Sequence, residues 1–175
     1  MKIFLVMLLL FTAVGMNAKA GDLDAFIGYS FADELDQDGG DSETEAAFLL
    51  GVRYKDQLQR GFGWNVGFGL DTIRDIKSSN AEFGFFLLEG NATLHIDQIK
   101  ALYIFAGLNY PMIVYEDKNM GDMDPVFGVQ FGTGFNFTPV CGAELAFRTV
   151  NFEIGTADSN LWGFAVRGFY TFAGF

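Results

Sequence analysis

The sequence holds a single cysteine, three prolines and few basic residues, with 11 Lys and Arg against 22 Asp and Glu. One cysteine excludes a disulfide framework and a multi-cysteine metal site. The formal charge of −11 excludes the basic surface that grips phosphate, and with it nucleic acid as a partner. Long apolar runs are missing except at the extreme N-terminus. No helical period, repeat unit, low-complexity tract or interdomain linker is present, which points to one domain. What is abundant is 21 Phe and 22 Gly in 175 residues. So much Phe is incompatible with a disordered acidic chain.

Residues 1–20 read as a secretory signal. Lys2 supplies a basic start, Ile3 to Gly15 an apolar stretch, and Ala18-Lys19-Ala20 a small-x-small cleavage site. As a helix that stretch rises about 20 Å, short of the roughly 30 Å of a hydrocarbon core, so a membrane anchor is disfavoured. The expected mature domain is 21–175, and losing Lys2 and Lys19 makes it more acidic still.

Beyond Gly21 the chain alternates with period two, the mark of strands with two unlike faces. Phe62, Trp64, Val66, Phe68 and Leu70 oppose Gly63, Asn65, Gly67, Gly69 and Asp71. Phe127, Val129, Phe131, Phe135 and Phe137 likewise oppose Gly128, Gln130, Gly132, Gly134 and Asn136. Six further segments fit less perfectly, near 22–32, 45–55, 83–95, 101–111, 142–151 and 161–172. Strands of about ten residues suit a tilted bilayer crossing. The connections, at 33–44, 56–61, 73–82, 96–100, 112–125, 139–141 and 152–160, alternate long and short. That series predicts an all-β, eight-stranded antiparallel up-and-down transmembrane β-barrel with both chain ends on the tight-turn side.

A soluble barrel would need a solvated second face rich in Lys, Glu and Thr. Here the second face is mostly Gly and Asn, suited to the inside of a narrow eight-stranded barrel, while Phe and Leu suit lipid. Aromatics also gather near strand ends. Trp64, Tyr54, Phe137, Tyr170 and Phe172 lie by the tight turns, and Tyr29, Phe31, Tyr110 and Trp162 by the loops, as two interfacial girdles.

The signal segment, the alternating strands, the stretch Leu102-Tyr-Ile-Phe-Ala-Gly-Leu-Asn-Tyr110 and the end Gly168-Phe-Tyr-Thr-Phe172-Ala-Gly-Phe175 resemble the small bacterial outer-membrane barrels of the OmpA and OmpX type. The resemblance is one of pattern over the whole mature chain. It implies a Gram-negative outer membrane, lipid and lipopolysaccharide as surroundings, insertion by the barrel-assembly machinery, a monomer and no cofactor. The family's assembly signal pairs a final Phe with aromatics two residues apart. Tyr170 and Phe172 fit that spacing, and Phe175 is out of phase with them.

With the lipid face assigned, Arg53, Glu89, Glu144, Arg148 and Arg167 face the lumen, with Asn65, Asn91, Gln130 and Asn136. Charges in so narrow a tube must pair. They form either a structural network that fills the lumen or the constriction of a small porin-like channel. The first reading implies a non-enzymatic role in membrane integrity or surface interaction. Lipid A-modifying activity, known among similar barrels, needs His with Ser and an acid. The only histidine, His95, is at a tight-turn end, whereas Ser30, Ser42, Ser78, Ser79 and Ser159 belong to the loop end. A strand's length separates them, far beyond the ~3 Å reach of a nucleophile and its base. No enzyme is expected. Cys141 falls in a tight turn, and Gly128-x-x-x-Gly132 precedes no helix, so a nucleotide reading fails. Asp36-Gln-Asp38-Gly-Gly-Asp41 echoes a calcium loop out of register. Asp36, Asp38 and Asp41 are therefore candidates for weak divalent-cation attraction only, and no fixed metal site is expected.

Overall fold

The computed structural model describes residues 21–31, 33–37, 41–57, 61–77, 81–99, 101–116, 123–154 and 157–172. Residues 1–20, which the sequence reads as a signal segment, and residues 173–175 lie outside the described residues, as do Asp38, Ser78 and Ser79. The strands are β1 (Asp22–Ser30), β2 (Glu34–Gln37), β3 (Ser42–Glu43), β4 (Ala47–Gln57), β5 (Phe62–Ile76) and β6 (Ala81–His95). There follow β7 (Leu102–Glu116), β8 (Met123–Val126), β9 (Gly128–Thr138), β10 (Cys141–Ile154) and β11 (Ala157–Phe172). The main ladder runs β11-β1-β4-β5-β6-β7-β9-β10, all antiparallel, and β10 pairs with β11 to close it. The chain is an eight-stranded antiparallel transmembrane β-barrel.

Closure pairs the eight strands of the main ladder on both sides, which hydrocarbon demands because it offers no hydrogen bonds of its own. The alternation sends apolar side chains outward. Ile27, Phe127 and Phe137 are 68%, 64% and 64% exposed on the outer face of the barrel, where apolar groups suit contact with lipid. Their ring-bearing neighbours cluster at two levels. Near the tight turns Tyr54 meets Trp64 with ring centres 5.5 Å apart and Tyr170 meets Phe172 at 5.2 Å. Near the loops Tyr29 meets Phe48 at 5.6 Å and Tyr110 meets Phe127 at 5.0 Å. Inward positions are glycine where a ring needs space. A Cβ on Gly51 or Gly69 would stand 2.5 or 2.9 Å from the Phe26 ring.

On the loop side the strands run further than the alternation predicts. β5, β6 and β7 each have 15 residues, roughly 38 Å along a tilted barrel against an apolar band of about 25 Å. Much of the predicted connections 73–82, 112–125 and 152–160 is strand. Irregular pairing between Asp71 and Arg74, and between Gly84 and Phe85, breaks the period-two pattern that would have revealed it. Within the predicted first loop, β2 pairs with β11 and with β3. Thr44 bridges Ile76, and Lys77 N donates to Glu43 O at 2.9 Å. The β2–β3 hairpin thus takes the place of β1 and β4 between β11 and β5, continuing the wall past the membrane as a cuff. The exposed pair Lys77–Glu43, 2.8 Å apart, fastens its rim. Their hydrogen bond holds Glu43 below and Lys77 above the ordinary pKa. This surface contribution fades as acid titrates Glu43 or strong base titrates Lys77, and salt screens it.

The cuff encloses an apolar core of Leu35, Ile76, Phe83, Phe85, Leu87, Met123, Val150, Phe152 and Leu161. Phe83 is fully buried against Phe85 and Phe152. Phe83→Ala should cost ~3–5 kcal/mol, read as a lowered urea midpoint for the barrel folded in lipid vesicles.

Candidate functional site

The barrel interior gathers the charged side chains in three layers. At the turn-side layer, β1 and β4 present Asp24 and Arg53, and β10 presents Glu144. Arg53 binds Asp24 through Nε at 2.9 Å and Glu144 through Nη1 at 2.6 Å. Lys55 Nζ lies 2.9 Å from Asp24, which also accepts from Thr171 Oγ1 at 2.6 Å. Tyr103 OH donates to Glu144 at 2.5 Å, and the Arg53 guanidinium rests 4.9 Å over the Phe169 ring. Below this layer opens a vestibule of about 610 Å³, lined by Lys55, Gln57, Asn65, Thr93, His95 and Asn136 among others.

In the middle layer Arg167 Nη1 binds Glu89 at 2.7 Å and the guanidinium stands 5.2 Å over the Phe26 ring. Gln130 Nε2 donates to Glu89 at 3.2 Å and to Asn91 Oδ1 at 2.7 Å, and Asn91 donates to Asn65 at 2.8 Å. In the outer layer Arg74 forks onto Asp71, with Nε at 2.9 Å and Nη2 at 2.8 Å. It also binds Asp33, and Arg148 binds Asp71. Ser30 Oγ donates to Asp33 at 3.0 Å and accepts from Arg148 at 3.2 Å. Asp33 follows β1 and precedes the β2–β3 hairpin, so this layer ties the cuff to the barrel. The apolar core of the cuff stands directly above.

The structure thus brings Arg53 to Glu144 and Arg167 to Glu89, whereas Arg148 pairs with Asp71 rather than with a glutamate. Asp24, Asp33, Lys55 and Arg74 were not among the lumen residues expected from sequence, and Asp71, though placed on the inward face, was not counted among the paired charges. Asp24 and Lys55 sit on inward-facing parity and could have been found by it. Arg74 follows the bulge and Asp33 follows β1, so their direction had no readable period. Buried among the described residues are five acids and four arginines, and Lys55, 30% exposed at its side chain, brings the interior to neutrality. The acid excess of the described residues therefore lies on their surface.

His95 sits at the turn end, its Nε2 2.9 Å from Gln57 Nε2 and its ring 5.2 Å from that of Tyr103. Ser30 and Ser159 are buried at the opposite end. Asp36 lies on β2 and Asp41 before β3, both exposed. No group of three His, Cys, Asp or Glu among the described residues could hold a metal ion. Cys141 opens β10 as a free thiol, 3.1 Å from Thr138 Oγ1.

No family model matches the chain, and no curated protein does. Solved structures do. Ail, the attachment invasion locus protein of Yersinia pestis, superposes with a TM-score of 0.55 at 16% identity, over 88% of this chain and 100% of Ail. Its complex with the heparin analogue sucrose octasulfate gives 0.52. Neisserial surface protein A gives 0.50 at 12% identity, over 85% of this chain and 96% of that one. The fold is that of the small outer-membrane barrels. At these identities the likeness is one of architecture, and the residues of the three interior layers are this chain's own.

Removing one partner from an interior pair leaves a charge buried alone. Glu89→Gln should destabilise by ~3–5 kcal/mol, and Glu89→Gln with Arg167→Met should cost less than the sum of the two single changes. Folding equilibria of the four proteins in lipid vesicles check this.

Proposed function

We propose that the protein is a monomeric, non-enzymatic barrel of the bacterial outer membrane with a closed lumen, serving membrane integrity and surface interaction. The observation that carries this reading is the closed interior: neutral, mutually paired charge layers across the membrane and an apolar core above them. Ion passage would require separating pairs such as Arg53–Glu144 and Arg167–Glu89, each buried to within 3% of full enclosure, and then crossing the cuff's core. The apolar belt, the two aromatic girdles and the export-type start at 1–20 support the location. The alternating architecture supports insertion by the barrel-assembly machinery.

A narrow porin-like channel is the second reading, and the turn-side vestibule is the feature that favours it. Single-channel recording of the refolded protein in a planar bilayer separates the two. No discrete conductance steps are expected, and reproducible steps at neutral pH would support the channel instead.

The outer surface of the cuff favours contact with lipopolysaccharide through divalent cations. Acids stand directly opposite one another across strands: Asp124 with Glu153, Glu153 with Asp158, Asp75 with Glu82, and Glu34 with Glu43. Like charges so placed repel, and their summed field concentrates Mg²⁺ or Ca²⁺, which can bridge to anionic phosphates. Calcium titration should raise the thermal stability of the barrel in lipopolysaccharide-containing bilayers. Changing Asp36, Asp38 and Asp41 to Asn should weaken that response, and an unchanged response would remove these three from the contact.

A further inference from the structure

We propose that one water molecule is an integral part of the interior, held between the middle and outer charge layers and joining them into a single network. A void of about 10 Å³ lies between the layers, lined by Arg148, Arg167, Asp71 and Glu89 together with the apolar Phe26 and Leu87. That volume is about what one water needs. It is too small for a hydrated ion.

The chemistry of the walls selects the occupant. Arg148 Nε and Arg167 Nε are buried and have no hydrogen-bond partner among the described residues, although Arg148 Nη2 is engaged with Asp71 and Ser30 and Arg167 Nη1 with Glu89. Two unpartnered buried N–H donors on residues that line one void are costly unless an acceptor reaches them. The carboxylates also have capacity left. Glu89 accepts two hydrogen bonds and Asp71 three, whereas a carboxylate can accept about four. A water oxygen can take both Nε–H bonds while its hydrogens serve Asp71 and Glu89. The two arginines and two carboxylates sum to zero charge. A bound chloride or sodium ion would leave the site charged in a low-dielectric interior, and a neutral ligand does not.

The consequence is mechanical coupling. With the water in place, a continuous run of polar contacts extends from Gln130 and Glu89 in mid-membrane to Asp33 at the root of the cuff.

The test uses the full mature barrel refolded in lipid nanodiscs, with ¹⁵N-labelled arginine. Rotating-frame cross-relaxation between each Nε–H and water distinguishes a resident water from proton exchange by its sign. Genuine cross-relaxation peaks are expected at both Arg148 and Arg167. Their absence at either one, or exchange peaks alone, would overturn the bridge. Because lysine variants made for assignment can fail to fold, a crystal structure of the unaltered protein grown in bromide gives a second readout. A single peak within hydrogen-bond distance of both Nε atoms, without anomalous signal, is expected. An anomalous bromide peak at that place, or no peak, would overturn the assignment to water.

Discussion

An eight-stranded barrel is only just wide enough for the side chains that point into it, and that narrowness governs the rest of the molecule. A charge placed inside cannot keep a hydration shell, so it must find an opposite charge or hydrogen-bond donors across the lumen. The partners therefore come from strands far apart in sequence: Arg53 on β4 with Glu144 on β10, and Glu89 on β6 with Arg167 on β11. Each such pair ties opposite walls together. Arginine suits this duty because its planar guanidinium can fork onto a carboxylate, as Arg74 does on Asp71, and can lie over an aromatic face, as Arg167 does on Phe26.

The same narrowness explains the glycines and the distribution of charge. Where Phe26 crosses the lumen, the positions facing it on β4 and β5 are Gly51 and Gly69, because a methyl group there would collide with the ring. The interior is neutral, and the acidity of the described residues is displaced to the surface, above all to the cuff. A membrane core tolerates only balanced charge, whereas an aqueous rim with counterions tolerates carboxylates facing one another across a ladder.

The cuff adds a second enclosure of another kind. Inside the bilayer the lumen is filled by paired charges; above it the space is filled by Phe83, Phe85, Phe152 and their neighbours. Asp33 sits where the two meet, bonded to Arg74, Ser30 and the backbone and hydroxyl of Thr44. It anchors the hairpin that closes the upper wall, so the apolar core and the charge layers depend on a shared residue.

Period-two alternation, clearest over β5 and β9 and weaker in six further segments, with the long–short series of connections, was enough to read a barrel, its lipid-facing side and the inward direction of Arg53, Glu89, Glu144, Arg148 and Arg167, because a strand's side-chain direction follows from parity. Parity does not say how far a strand continues once a bulge resets it. The outer parts of β5, β6 and β7, the β2–β3 hairpin and the inward turn of Arg74 were therefore invisible in the sequence. Nor does parity say which carboxylate meets which arginine. Arg148 chose Asp71 because ladder register and barrel stagger set the height of each residue across the lumen, and those are properties of the closed sheet rather than of any one strand.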